Sequence, residues 1–206
     1  MTDTVRGYSA GDDAISWIKR QLDDAAAVHD AIRADVENLA AIATSIAGSL
    51  QNGGRVFFFG NGGSAADAQH WAAELSGRYY IDRPSLPAIA LTTNSSQLTA
   101  IGNDYGFADV FARPLSGLAT DGDVAVAIST SGTSENVLRA IDVAAKSGLT
   151  TIGFTGSGDN PMAGRCDFVV TIPSTDVARV QEGHEVCAHI IWSLVEQEIF
   201  GDQRTR

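Results

Sequence analysis

A chain of 206 residues, of which 44% are hydrophobic and 19% charged, is long enough for one soluble domain with a full core. Its formal net charge of −11 disfavours nucleic acid and membrane surfaces as partners, because binding to either depends on clustered Lys and Arg. The two cysteines, Cys166 and Cys187, are too few for a disulfide framework, so we expect buried thiols. No apolar run follows a basic cluster near the first residue, and no segment has about 20 uninterrupted apolar residues. We therefore expect a cytoplasmic protein that binds small molecules or other proteins.

The stretch from Asp12 to about Leu50 predicts two helices or one bent helix. Apolar residues such as Ile15, Ile18 and Leu22 recur there at helical spacing. Because these helices precede a complete α/β unit and must bury an apolar stripe, we expect them to serve oligomerisation. The interpretation is a single domain over residues 1–206, with residues 12–50 as an N-terminal helical extension.

From Arg55 onward, short apolar runs alternate with helix-like segments. Five of these runs predict strands: "RVFFFG", "PAIALT", "DVAVAIST", "LTTIGFTG" and "DFVVTIP". Each is almost continuously apolar, which is typical of a parallel sheet covered on both faces by helices. The sequence therefore predicts a three-layer α/β sandwich with a five-stranded parallel sheet, in which ligands bind at the carboxyl ends of the strands.

A glycine-rich turn, "GNGGS", follows the first predicted strand and leads into a helix. Glycines permit a tight turn and close ligand approach, and the free N–H groups of the helix favour an anion. The turn matches neither the dinucleotide fingerprint nor the P-loop, so it does not indicate a nucleotide. A tight turn without any ligand also accounts for this segment taken alone.

A second turn, "STSGTSEN", places five hydroxyl residues between a strand and a helix. Hydroxyls beside backbone N–H groups at a helix start can hold a phosphate without Lys or Arg. An N-cap explains one such hydroxyl, with Glu135 or Asn136 nearby, but not all five. A glycine-rich turn and a hydroxyl-rich turn at the ends of two strands together favour a sugar phosphate over a nucleotide as the ligand.

A possible metal site begins with His70 and Glu74, which at i and i+4 face the same way on a helix and can bind one divalent ion. The last predicted helix offers further donors: Gln181, Glu182, His184, Glu185 and His189. Of these, Gln181, Glu185 and His189 share one broad helical face. Spacing alone favours Glu185 with His189, because glutamine is an uncommon zinc ligand.

Six segments in the same order resemble one family: "GNGGSAADAQHWAAELSGRY", "DRPSLPAIAL", "GNDYGFADVF", "AISTSGTSENVLRA", "TGSGDNPMAG" and "ARVQEGHEVCAHII". They are similar to those of the sedoheptulose-7-phosphate isomerases, or phosphoheptose isomerases, of the sugar isomerase (SIS) domain superfamily. The resemblance covers about residues 15–200. It implies a homotetramer assembled through N-terminal helices and the conversion of sedoheptulose 7-phosphate to D-glycero-D-manno-heptose 7-phosphate, the first step towards nucleotide-activated heptose.

The resemblance also implies roles for individual residues. Zinc, one ion per subunit, would be held by His70, Glu74, Gln181 and His189, a set that replaces the spacing-based choice of Glu185. Glu74 and His189 would be the catalytic acid–base pair that moves a proton between C1 and C2 through a cis-enediol. The implied substrate-binding residues are Asn61, Gly62, Gly63, Glu74, Asn103, Asp104, Ser129, Thr130, Ser131, Ser134 and Gln181. Arg78 and Arg179 are expected only as neighbours of the site.

Two other functions are weighed against this one. The first is a non-enzymatic SIS-domain regulator that binds a replication initiator protein; the resemblance implies that this branch lacks the complete metal and acid–base set. The second is an isomerase of another sugar phosphate, such as a hexulose phosphate or an amino sugar phosphate.

Overall fold

A computed structural model describes residues 7–9, 11–158 and 160–201. The predicted domain limits at residues 1 and 206 lie outside the described residues. The helices are α1 (Ala14–Ile32), α2 (Val36–Gln51), α3 (Gly63–Ser76), α4 (Ser95–Asp104), α5 (Ala112–Leu118), α6 (Glu135–Lys146) and α7 (Val177–Phe200), with short 3-10 turns at Arg33–Asp35 and Phe107–Asp109. The strands are β1 (Val56–Gly60), β2 (Ala88–Ala90), β3 (Val124–Ser129), β4 (Thr150–Gly156) and β5 (Phe168–Ile172).

All five strands pair in parallel in the order β2-β1-β3-β4-β5. The five strands predicted from the apolar runs are confirmed, although the second spans only Ala88–Ala90. In the register, Gly60 at the end of β1 lies opposite Ile128 near the end of β3. The glycine turn and the hydroxyl turn therefore leave the sheet side by side at its carboxyl edge.

Helices cover both faces of this sheet. The side chains of β1 alternate between the two faces, so they belong to two different hydrophobic cores. Val56 and Phe58 belong to a core shared with α2, α3 and α7. Phe57 and Phe59 belong to a second core shared with α5 and α6. The predicted three-layer α/β sandwich is confirmed.

The two N-terminal helices have different surroundings. The apolar stripe of α2, including Leu39, Ile42 and Ile46, is buried in the core formed with the sheet and α7. The outer part of α1, in contrast, exposes Ile15 and Leu22 to solvent. The core thus accounts for the stripe of α2 but leaves that part of α1 uncovered.

Cys187 is buried and Cys166 is partly buried, and both are free thiols. Burial raises the pKa of each thiol to about 12, so neither is ionised near neutral pH. Within the described ranges, no helix combines the length and the apolar character needed to cross a membrane.

Candidate active site

Two glycines shape the turn after β1 in different ways. Gly62 has φ +57°, a left-handed conformation that side chains disfavour. A Cβ at Gly63 would collide with the side-chain amide of Gln181, which comes from α7. The amide of Gln181 therefore lies against the turn, in the space that the absence of a side chain at Gly63 leaves open.

Asn61, in the same turn, is fixed by Asn136 at the start of α6. Each amide donates to the other, Asn61 Nδ2 to Asn136 Oδ1 and Asn136 Nδ2 to Asn61 Oδ1, both at 2.8 Å. Asn136 is only 2% exposed, and its Oδ1 also accepts the backbone N–H of Val137. The pair ties the two turns together. From the sequence, Asn136 is assigned no more than a capping role.

The hydroxyl turn between β3 and α6 forms a compact cluster of side-chain oxygens. Ser129 Oγ donates to Ser134 Oγ at 3.1 Å, and Ser131 Oγ lies 3.0 Å from Thr133 Oγ1. Ser134 is the N-cap residue of α6. Together with Thr130, which lies between Ser129 and Ser131, these residues surround a helix N-terminus whose dipole favours an anion.

A second cluster joins α3 to α7 through two histidines and two glutamates. His70 Nε2 lies 3.2 Å from Glu74 Oε1, and His70 Nδ1 lies 3.3 Å from Glu185 Oε1. His189 Nε2 lies 3.6 Å from the other oxygen of Glu185, and the two imidazole rings are 5.3 Å apart. Tyr79 stacks on His189 at 5.8 Å between ring centroids, with an interplanar angle of 18°.

These donors fit a divalent cation. One ligand atom from each of His70, Glu185 and His189 lies within 4.8 Å of the others, and Glu74 joins them through His70. Imidazole nitrogens with carboxylate oxygens are a common donor set for zinc and similar ions. The geometry groups Glu185 with both histidines, in agreement with helical spacing, whereas Gln181 lies one turn earlier on α7 beside Gly63.

The carboxylates shift the pKa values of their neighbours. Burial lowers the pKa of His70, but the hydrogen bonds and charges of Glu185 and Glu74 outweigh it and raise the pKa above 6.5. Burial and the adjacent Glu185 carboxylate raise the pKa of Asp67 to about 7. Asp67, one helical turn before His70, was not singled out from the sequence, because its proximity to Glu185 arises only from the packing of α3 against α7.

Comparisons with known proteins identify the family to which this site belongs. The SIS domain family matches residues 22–156. A phosphoheptose isomerase of Burkholderia pseudomallei is 46% identical over 192 residues, covering 92% of this chain and 98% of that protein. One of Rhodospirillum rubrum is 51% identical over 161 residues, covering 78% of this chain and 86% of that protein. The chain belongs to the phosphoheptose isomerase family.

The family's known structures agree with this assignment. The structure of phosphoheptose isomerase GmhA from Neisseria gonorrhoeae has a TM-score of 0.84 with this chain at 36% identity, covering 90% of this chain and 100% of that one. The resemblance stated from the sequence is therefore confirmed, and the protein is an isomerase. The regulator of replication initiation is not favoured, because the relatives at this identity are named as enzymes.

Other residues expected at a phosphoheptose isomerase site lie apart from these two clusters. Asn103 and Asp104 are exposed at the end of α4, where Asn103 Nδ2 donates to Asp104 Oδ1 at 2.7 Å. In the part of the chain that the structure describes, neither side chain bonds to the glycine turn or the hydroxyl turn. Arg78 is exposed beyond the end of α3. Arg179 donates to the backbone carbonyl of Gln21 in α1 and to Glu182.

Proposed function

We propose that the protein converts sedoheptulose 7-phosphate to D-glycero-D-manno-heptose 7-phosphate through a cis-enediol, the first step towards nucleotide-activated heptose. The observation that carries this proposal is the proximity of a neutral anion site and a histidine–carboxylate cluster. Gln181 lies against the glycine turn, and one helical turn further along α7 Glu185 contacts His70. A substrate with a phosphate at one end and a carbonyl at the other matches this arrangement.

The phosphate is bound by hydroxyls and N–H groups rather than by cations. Ser129, Thr130, Ser131 and Ser134 surround the N-terminus of α6, and the three serines form hydrogen bonds with one another, with the hydroxyl of Thr133 and with its backbone N–H. Such donors suit a dianion in a strongly acidic protein, because the helix dipole supplies the favourable field.

Other proposed substrate contacts come from the first turn, α4 and α7. The amide pair with Asn136 orients Asn61 beside the glycines. The full set outside the hydroxyl turn is Asn61, Gly62, Gly63, Glu74, Asn103, Asp104 and Gln181. Asn103 and Asp104 belong to this set through the family resemblance.

Glu74 and His189 form the acid–base pair. The base takes a proton from C1 of the ketose while the C2 carbonyl oxygen gains one, which gives the cis-enediol. Return of a proton to C2, with loss of the O1 proton, leaves the aldehyde at C1. Both side chains are partly exposed, at 21% for Glu74 and 39% for His189, so a substrate can reach them. Positioned acids and bases of this kind contribute about 10²–10⁴-fold to rate.

The proposed cofactor is one zinc ion per subunit, which His70, Glu74, Gln181 and His189 would hold and which would supply Lewis-acid polarisation of the sugar carbonyl. The support is the donor chemistry of the cluster on α3 and α7. His70 and Glu74 are held in contact by their i, i+4 spacing, which suits a shared cation.

The protein assembles in the cytoplasm as a homotetramer of one SIS domain per chain, with residues 12–50 as its helical extension. The support is the uncovered face of α1, where Ile15, Ile18 and Leu22 are 64%, 51% and 65% exposed. Because α2 belongs to the core, assembly is best tested by substitutions on the exposed face of α1, which leave the core intact. Ile18→Asp with Leu22→Asp should yield smaller particles by light scattering, and an unchanged mass would contradict assembly through α1.

A coupled assay with sedoheptulose 7-phosphate tests the activity. The expected result is turnover of this ketose that exceeds turnover of fructose 6-phosphate, the control substrate for an isomerase of other sugar phosphates. Turnover of the hexulose phosphate alone would support that second candidate. No turnover of either sugar phosphate by the zinc-loaded protein would refute the proposed function.

A further inference from the structure

Glu185 connects the two helices of the cluster through both of its carboxylate oxygens. Oε1 lies 3.3 Å from His70 Nδ1, and Oε2 accepts the indole N–H of Trp71 at 3.2 Å. Trp71 is fully buried and packs against Phe154 and Trp192, so its N–H is held in one direction. The indole N–H thereby holds the carboxylate beside His70.

The two nitrogens of His70 face different carboxylates. Nδ1 faces Glu185, whereas Nε2 faces Glu74 at 3.2 Å. A neutral imidazole carries a proton on one ring nitrogen and a lone pair on the other. The hydrogen-bond partner of each nitrogen helps to decide which of the two carries the proton. When a cation beside Glu74 occupies the lone pair of Nε2, the proton must lie on Nδ1, where the Glu185 carboxylate stabilises it.

We propose that Glu185 is a positioning residue, which holds the proton of His70 on Nδ1 and so presents Nε2 to a divalent cation beside Glu74. The inference rests on the proposed metal site, since it assigns Glu185 a role towards one of its ligands. Trp71 is the anchor that keeps Glu185 in place. Glu185 is thus a support of the site and not one of the four ligands.

Direct binding of the cation by Glu185 is the alternative, since its oxygen lies within 4.8 Å of the histidine nitrogens. Two features favour positioning. Oε1 faces His70 Nδ1 and Oε2 accepts the buried indole N–H, so each oxygen already has a protein partner. Positioning uses only these existing contacts, whereas direct binding needs a second lone pair of an oxygen that is already engaged.

Zinc affinity of the purified full-length protein, measured by competition with a chelating indicator, provides the first test. Glu185→Gln should weaken zinc binding about 10- to 100-fold, the range usual for loss of a carboxylate that supports a histidine ligand. Trp71→Phe should weaken it less, because Oε1 remains. Glu182→Gln removes an equal charge from α7 and should leave the affinity unchanged, since Glu182 pairs with Arg179. Glu185→Gln within twofold of the unsubstituted protein would overturn the proposal.

The imidazole ¹⁵N signals of the metal-free protein provide the second test, at about pH 9, where histidine is neutral. In a Glu74→Ala background, which removes the carboxylate at Nε2, His70 should carry its proton on Nδ1, and adding Glu185→Gln should give a mixture of both tautomers. A merely structural role for Glu185 would leave this ratio unchanged and would overturn the proposal. If Glu185→Gln does not fold, Glu185→Asp, which withdraws the carboxylate by one methylene, is measured with the same expectations.

The two measurements separate the possible failures. If the unsubstituted protein binds no zinc, the proposed cofactor is wrong, while the tautomer of His70 still decides the role of Glu185. If X-ray absorption of the zinc-loaded protein changes in ligand number on Glu185→Gln, Glu185 is itself a ligand and positioning is refuted.

Discussion

Replacing Glu196 by Gln should lower the free energy of unfolding by about 3–5 kcal/mol, the usual effect of removing one partner from a buried ion pair. The carboxylate of Glu196 and the guanidinium of Arg83 are both completely buried, with Oε1 2.9 Å from Nε. Glu196 also accepts the backbone N–H groups of Tyr79, Tyr80 and Ile81 at 3.2, 2.9 and 3.0 Å. Gln keeps the shape but removes the charge, and its NH₂ group faces donors.

The same network supports the end of α3. Arg83 donates to the backbone carbonyls of Glu74 at 2.9 Å and Leu75 at 2.7 Å, which lie in the last helical turns. These carbonyls lack partners within the helix, so Arg83 completes the C-terminus that carries Glu74. Loss of Glu196 should therefore reduce isomerase activity as well as stability.

Urea unfolding followed by circular dichroism, at several protein concentrations, measures the effect of Glu196→Gln. Glu198→Gln is the matched control, because this acid lies on the same helix but is exposed, and it should change stability little. Replacing both Arg83 and Glu196 by Met removes the unpaired charge but leaves three backbone N–H groups without acceptors, at about 1–3 kcal/mol each. A loss below about 1 kcal/mol in Glu196→Gln, or full recovery in the double variant, would refute the reasoning.

Three further predictions concern the site and the core. Glu74→Gln should lower turnover about 10²–10⁴-fold with substrate binding retained, and recovery of turnover on adding zinc would show instead that Glu74 only binds metal. Replacing Ser129, Ser131 and Ser134 together by Ala should raise KM by at least about 10- to 100-fold, since the loss of even one hydrogen bond to a charged phosphate costs about 1.5–3 kcal/mol; an unchanged KM would mean that the phosphate binds elsewhere. Burial lowers the pKa of His184 to about 4. As the pH falls, the histidine therefore takes up a proton in the unfolded chain before it does so in the folded protein. The free energy of unfolding should fall by about 3 kcal/mol as the pH drops from about 6.5 to 4. His184→Gln keeps an N–H donor for the backbone carbonyl of Thr155 but cannot take up a proton. In urea unfolding measured across this pH range, the variant should lose the decrease caused by His184, and an unchanged pH dependence would contradict this prediction.

The sequence by itself determined the strands, the turns and the layers of this protein. Runs such as "VFFFG" and "VAVAIS" are apolar at every position, which is stable only in a sheet covered on both faces. The i, i+4 spacing was enough to bring His70 and Glu74 into contact, because helix geometry fixes that distance. These features depend on residues that are close together along the chain, so they can be predicted from local sequence patterns.

Only the tertiary structure decided which distant residues complete the site and its support. Asn61 pairs with Asn136, His70 with Glu185, and Arg83 with Glu196, across separations of 75, 115 and 113 residues. The periodicity of α7 placed Glu185 on a shared face with His189, but not opposite Nδ1 of a histidine on α3. Such contacts follow from how closely two helices approach and how each is rotated about its axis. Packing of large buried side chains such as Trp71 sets both quantities, and no local spacing in the sequence records them.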